Sequence, residues 1–429
     1  MKRIFVVHDY FTKESVIPNG FNMSYEEFNE HRYKLSRTSN VKFKNDSLFL
    51  QLTPIHKSTI LSSNFLTKDD KIYYFVHLNR NAGDYPELYD YGMNHWTSYI
   101  DEKIIELIKK KKVTLALSIF IETLTLQDIK IIGNRLLSHL GEINFEIWTP
   151  WTYPKEDWIR VIGSLKYYRS IVDVPYWEIS AKKLYNTTGL IINHKSKKYI
   201  NLCRRYTPER ILAHTYILSH NLLDLGYNSI PSHDTITGRS LIDVARDLLD
   251  SYSGIFNNEI SLSLSYWKEN DQGITLDQPP VSDFDRTLHK DQYYGFNNSP
   301  DLEKYYNDSY LSLIGEGCMT VDSYMITEKT YRSILYKHLF LIIGPKHTLQ
   351  SLREKGYKTF NSIWSEEYDN IDDDGERIQT VLKLFENIII SNNLETLYEK
   401  ALPIIEHNYN FMHERIENYI KNTGYHETS

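Results

Sequence analysis

Short, almost unbroken apolar runs alternate along the chain with longer segments in which apolar residues recur every three or four positions. That is the pattern of buried parallel strands and the helices that cover them. In the first half, strands are predicted at 2–7, 48–52, 71–77, 113–121 and 144–148, and helices at 101–112, 126–140 and 154–167. In the helix at 101–112, Ile104, Ile105, Leu107 and Ile108 form the apolar side, and Lys109 to Lys112 complement the negative end of the dipole. In the second half, a strand at 199–202 leads into a helix that starts at Pro208, with Thr207 as its cap, and runs to about Leu223. A helix at 242–252, a strand at 310–314, a helix capped by Thr327 and running to 335, a strand at 339–343 and helices at 348–355 and 376–390 follow. The last helix is predicted to begin near Pro403, with Ile404, Ile405, Phe411, Met412, Ile416, Tyr419 and Ile420 at helical spacing.

The regular pattern weakens in two places. Between 178 and 196, Asn186-Thr187-Thr188-Gly189 and Lys195-Ser196-Lys197-Lys198 read as a linker. This predicts a Rossmann-like domain over 1–190, a second over 191–400 and a terminal helix over 401–429. From 235 to 300, Asn257-Asn258, Asp277-Gln278-Pro279-Pro280 and Asn297-Asn298-Ser299-Pro300 break the chain into loops around the 242–252 helix.

Chemistry concentrates at two strand ends. The 310–314 strand stops at Gly315-Glu316-Gly317, and the next helix opens with Thr327-Glu328-Lys329. A carboxylate and an ammonium beside free helix amides suit a nucleoside diphosphate, the first facing ribose hydroxyls and the second facing phosphate. Any helix with a threonine cap could begin the same way. The 199–202 strand runs into Cys203-Arg204-Arg205, just ahead of the Pro208 helix, and Arg204, Arg205 and Arg210 could clamp a diphosphate or form surface ion pairs.

The run from Gly315-Glu316-Gly317 through Tyr324-Met325-Ile326-Thr327-Glu328-Lys329-Thr330, then Pro345 and Gly356-Tyr357-Lys358-Thr359-Phe360, resembles the donor-binding half of GT-B glycosyltransferases. It is most similar to the fucosyltransferase-like group and to phage-encoded glycosyltransferases, with one extra residue between Tyr324 and Thr327, and Gly317 where those enzymes often carry Asn. The resemblance implies an α/β protein with two Rossmann-like domains facing a central cleft and a C-terminal helix returning to the first domain. It implies that Glu316, Tyr324, Thr327, Glu328 and Lys329 surround a nucleotide-sugar donor, with Arg204, Arg205 and Arg210 on its phosphates. Tyr368 and Asp369 would shape the same pocket. No tightly bound cofactor is implied, and the reaction would be metal-independent.

An inverting transfer needs a base in the first domain, at a strand's C-terminal end. Glu122 is the first choice, Asp9 the second, and His77 also fits. Each could equally be a cap, a surface charge or a core residue. Asp283-Phe284-Asp285 has the form of the metal-binding Asp-X-Asp of the other main glycosyltransferase fold, but it lies in a Pro-rich loop with no apolar strand before it. The phage-encoded enzymes that the chain resembles glycosylate hydroxymethylated pyrimidines, so the resemblance implies DNA as the acceptor, with a glycan or a protein as the alternative. A binding module that has lost turnover is the reading from a different class.

Composition changes this picture little. With 429 residues the chain is long enough for two cores, and its 41% hydrophobic and 24% charged content is that of a globular protein. Two cysteines, Cys203 and Cys318, form neither a disulfide framework nor a zinc spacing. A formal net charge of −7 argues against wholesale nucleic-acid binding and leaves room for a local basic face. No signal peptide or membrane-spanning run is read, so the expected place is the cytoplasm, that of the host if the chain is phage-encoded.

Overall fold

Strands covered on both faces carry apolar side chains on both, as β-strands Ser309–Gly315 and Leu339–Ile343 of this α/β chain do. The computed structural model describes residues 4–8, 53–56, 71–78, 102–119, 140–141, 143, 145–149, 168–173, 175–184, 195–203, 206–231, 239–269, 273–274, 302–316, 319, 326–391 and 393–423. The chain divides into two units, Met1–Tyr176 together with Glu414–Ser429, and Trp177–His413. Among the described residues, no helix is long and apolar enough to cross a membrane.

The first unit contains β1 (Ile4–His8), β2 (Thr53–His56), β3 (Lys71–Leu78), helix α1 (Glu102–Lys109), β4 (Thr114–Ile119), β5 (Phe145–Thr149) and β6 (Tyr168–Asp173). The strands are parallel, in the order β2-β1-β3-β4-β5-β6. The chain therefore leaves β1 on one side and returns on the other, and the strand order reverses between β1 and β3. Leu115 and Ala116, neighbours pointing to opposite faces of β4, are both fully buried. On α1 the buried side is narrower than its apolar pattern suggests: Ile104 and Ile108, one turn apart, are buried, while Ile105 and Leu107 are partly exposed. The lysines that follow are exposed, and the helix stops short of Lys112 because Lys111 turns into the left-handed region with φ 57°. The expected strand at 48–52 and helix at 154–167 lie outside the described residues, as does all but Leu140 of the helix at 126–140.

Helix α2 (Tyr176–Leu184) occupies the start of the stretch read as a linker. It follows Pro175 and buries Glu178, Ile179 and Ala181, so apolar contacts override its weak pattern.

The second unit runs through β7 (Lys197–Leu202), α3 (Pro208–Ser219), β8 (Gly226–Pro231), α4 (Leu241–Glu269), β9 (Gly273–Ile274), α5 (Glu303–Asn307), β10 (Ser309–Gly315), α6 (Glu328–Leu335), β11 (Leu339–Ile343), α7 (Thr348–Glu354), α8 (Asp374–Ile390) and α9 (Leu394–Thr423). Helix α9 belongs to this unit as far as His413. Its sheet has the order β11-β10-β7-β8-β9, parallel except for the two-residue β9, which pairs antiparallel with β8. All five residues of β11 are buried, each aliphatic one contributing about 1.5–3 kcal/mol. Helix α8 is one cover of this sheet, its Phe385 meeting Tyr199 of β7 edge-on with ring centroids 4.8 Å apart. At the N-terminal edge, buried Lys195 donates to the carbonyls of Ser309 (2.8 Å) and Tyr306 (3.3 Å), and desolvation lowers its pKa to about 8.

Two expected boundaries are corrected here. Asn257-Asn258 does not end a helix: α4 continues through a kink at Phe256 (φ −120°, ψ 19°), held by Phe256, Ile260 and Ser263 on one buried face. Pro403 does not start the last helix but lies inside it. An interior proline costs about 3 kcal/mol. The buried row Leu394, Tyr398, Ala401, Ile405 and Met412 offsets that cost, and Tyr398 Oη donates to the Lys337 carbonyl at 2.8 Å.

Gly356 sits at φ +101°, and a methyl group there would come within 2.5 Å of the Phe411 ring. Gly254 in α4 has nothing within 4 Å of that position. Gly356→Ala is therefore expected to destabilise the second unit by about 1–3 kcal/mol, and Gly254→Ala to stabilise it by about 0.5–1 kcal/mol. Denaturant midpoints that move in the same direction for both would refute this packing.

Candidate functional site

In an open parallel sheet, ligands bind outside the C-terminal ends of the strands where the strand order reverses. In the second unit that point lies between β7 and β10, which are hydrogen-bonded neighbours although the chain visits β8 and β9 between them. The loop after β7 leads to the N-terminus of α3, and the loop after β10 leads to that of α6. Two helix N-termini, each a positive dipole end, thus follow adjacent strands.

At the α6 start, Glu316 is completely buried. Its Oε1 accepts from the Thr327 amide (3.0 Å) and the Thr330 hydroxyl (2.6 Å), and its Oε2 accepts from the Thr327 hydroxyl (2.6 Å). The Thr327 Oγ1 in turn accepts from the Lys329 amide (3.4 Å) and from Lys329 Nζ (2.9 Å). Lys329 Nζ also lies 3.2 Å from a Glu328 carboxylate oxygen. A chain of polar contacts therefore runs from the end of β10 to the ammonium. Glu316, expected beside the sugar nucleotide, instead lies beneath the start of the helix and orients Thr327. Lys329 and Glu328 keep partial solvent exposure, with side chains 24% and 15% accessible. Burial pushes the Glu328 pKa up, but the charges of Lys329 and Arg332 and the hydrogen bond from Lys329 outweigh it and hold the group below its ordinary value.

At the α3 start, Thr207 takes the extended cap conformation and Pro208 the first helical position. The Thr207 hydroxyl does not cap an amide; it donates to Oε1 of Glu209. Arg210 crosses to the neighbouring strand, where its Nε donates to the Gly315 carbonyl at 2.8 Å. Glycine is required at 315 because a Cβ would come within 2.5 Å of the Arg210 Cγ. One strand further on, Arg377 Nε donates to the Gly344 carbonyl at 2.9 Å and its NH1 to the Ile371 carbonyl at 2.6 Å. Adjacent strands β10 and β11 thus each have the carbonyl at or just past their C-terminal end covered by an arginine.

The Tyr368-Asp369 stretch, expected to shape the pocket, is buried structure. Asp369 accepts from the amides of Leu349 and Gln350, each at 2.9 Å, and so caps α7, while Tyr368 is enclosed. A buried pair, Ser312 Oγ and His338 Nδ1 at 3.0 Å, looks like a nucleophile and its base. Its remaining nitrogen Nε2 faces the Tyr306 carbonyl at 2.5 Å and so carries the proton, and burial holds the ring neutral. The pair sits inside the sheet layer as packing.

The expected residues divide unevenly. Arg210, Glu316, Thr327, Glu328 and Lys329 come together at the β7/β10 switch point. Asp9, Glu122, Arg204, Arg205, Tyr324 and the Asp283-Phe284-Asp285 motif lie outside the described residues, and His77 belongs to β3 with its side chain outside them. Sequence reasoning passed over Glu209, whose Pro-Glu-Arg setting looks like an ordinary first helical turn. Its signal was the spacing from the Thr207 cap. Among the described residues, no group of three His, Cys, Asp or Glu side chains is arranged to hold a metal ion. No protein-family model matches the chain, and no curated protein matches it.

Glu316→Gln keeps the shape but replaces an acceptor oxygen with a donor facing donors. It is expected to lower the stability of the second unit by about 1–3 kcal/mol, against a change within about 0.5 kcal/mol for the exposed control Glu399→Gln, read from urea midpoints. Glu328 contributes stability that is fully present above the ordinary carboxylate pKa and lost as pH falls through its depressed folded value. Midpoints recorded from pH 7 downward should fall less steeply for Glu328→Gln than for the parent chain; parallel curves would refute the depressed value.

Proposed function

We propose that the chain is a GT-B-type glycosyltransferase whose second unit holds a nucleoside-diphosphate sugar at the β7/β10 switch point. One observation carries the reading. The stretch 315–330, which resembles a donor-binding motif, and the arginine-bearing stretch 203–210 follow adjacent strands of one sheet at the point where its order reverses. Chance resemblance gives no reason for that convergence.

In this reaction the acceptor hydroxyl attacks the anomeric carbon and the nucleoside diphosphate departs. Negative charge grows on the departing phosphate, where Lys329 and the positive dipole ends of α3 and α6 stabilise it, joined by Arg204 and Arg205. The Glu316–Thr327 contacts hold the first turn of α6 in place, so no reorganisation is needed as charge develops. Glu328 restrains the ammonium and accepts from ribose hydroxyls. Glu122 or Asp9 takes the acceptor proton. The acceptor is a hydroxymethylated pyrimidine in DNA, and a glycan or protein hydroxyl is the competing outcome of the test.

The test is a panel of nucleoside-diphosphate sugars, scored by thermal shift and by slow donor hydrolysis. At least one donor should raise the melting temperature, and Lys329→Ala should weaken its binding by about 10- to 100-fold, the range of a charge-assisted hydrogen bond. Absence of a shift with every donor, or an unchanged affinity in Lys329→Ala, overturns the reading. DNA as acceptor further requires binding whose log–log salt slope reports several phosphate contacts, about −0.9 for each.

A further inference from the structure

Glu209 is the buried charged group at this edge for which the fold supplies an incomplete set of partners. It is completely buried at the second position of α3. Oxygen Oε1 accepts from the Thr207 hydroxyl, but Oε2 has no hydrogen-bond partner. An ionised carboxylate kept from water normally has every lone pair satisfied. The surroundings are those of the switch point itself. The Glu209 Cγ lies 3.4 Å from where a Cβ on Gly315 would stand, beneath the end of β10. Arg210 Nε, on its own helix, is 3.9 Å from Oε1, Lys329 of α6 acts on the group through its charge, and the Tyr252 hydroxyl of α4 lies within range of the Glu209 charge. Desolvation outweighs the two cations, the Thr207 hydrogen bond and a hydrogen bond from the residue's own backbone amide, and raises the carboxyl pKa above its ordinary value.

A neutral carboxyl changes what this edge offers to a ligand. With the proton on Oε2 it is a donor beside two helix N-termini; ionised, it is a negative charge in a place otherwise built for anions. We infer that Glu209 is a proton-dependent contact of the anion site: when neutral it donates through Oε2 to a phosphate oxygen, and when ionised it opposes that phosphate. Binding to the ionised form then brings one proton from solvent onto Oε2, so the anion and the proton are bound together. The inference rests on the proposed diphosphate site and assigns to it a dependence on pH.

Two probes separate the inference from the reading beneath it. Sulfate mimics a phosphate group and carries no titrating proton near neutrality. The other probe is the nucleoside-diphosphate sugar that gives the largest thermal shift, whose diester diphosphate also does not titrate there. Affinity of the parent chain for both should fall as pH rises through the Glu209 titration, approaching about tenfold per pH unit for one linked proton. Glu209→Gln, which keeps a donor and removes the charge, should match the parent at low pH, exceed it at high pH and show a flat profile. Calorimetry of the parent chain in two buffers of different ionisation enthalpy should report proton uptake on binding, a readout that does not depend on the variant folding. Binding of either probe with no proton uptake, or a Glu209→Gln profile parallel to that of the parent, overturns the inference while leaving the donor site standing. Sulfate binding with proton uptake, but no shift with any nucleotide sugar, supports the inference and overturns the glycosyltransferase reading. Failure of both probes to bind overturns both.

Discussion

A single buried carboxylate joins the end of β10 to the beginning of α6. Glu316 receives one amide and two hydroxyls from the first turn of the helix, so the position of Lys329 is set by the strand and not by the loop between them. A loop carrying the same residues could hold a cation only by restricting a flexible side chain when a ligand arrives. Here the restriction is already in place, because Lys329 Nζ is held by Thr327 Oγ1 and Glu328 before any ligand binds. The ammonium is therefore restrained by the fold itself, at the positive end of the α6 dipole.

Parallel sheets leave a polar problem at their strand ends, since carbonyls there point out of the ladder without a partner. Arg210 and Arg377 answer it at neighbouring strands, each by an Nε–H bond to a glycine carbonyl, at Gly315 and at Gly344. The glycine is part of the answer at 315, where the arginine stem lies against the backbone with no room for a side chain. The same two contacts place guanidinium groups at the rim of the sheet. Stability and electrostatic character at this edge therefore have one physical origin.

Several groups that look chemically active serve the fold instead. Ser312 donates to His338 inside the core, Asp369 caps α7, and Glu366 accepts from the Thr359 hydroxyl (2.6 Å) and the Phe360 amide (2.7 Å) beside Arg353. What separates them from Lys329 and Glu328 is solvent: the first set is enclosed, and the second set keeps a face toward water. Glu209 belongs to neither set, being enclosed and incompletely partnered.

The sequence by itself determined the α/β class, the strands at 310–314 and 339–343, and the Thr327 cap, because continuous apolar runs and capping chemistry are local and act within a few residues. It also singled out Arg210, Thr327, Glu328 and Lys329 from their places at strand and helix ends. The adjacency of β7 and β10 was not legible, since about a hundred residues separate them and pairing depends on which hydrophobic faces meet. Nor was the direction in which Glu316 points: an acidic residue after a strand can turn to solvent or fold under the next helix, and only the burial of Thr327 and Thr330 decides it. Helix α4 through Asn257-Asn258 and helix α9 through Pro403 follow the same logic. Local propensity argued for a break in each, and a buried apolar row supplied by the rest of the unit outweighed it.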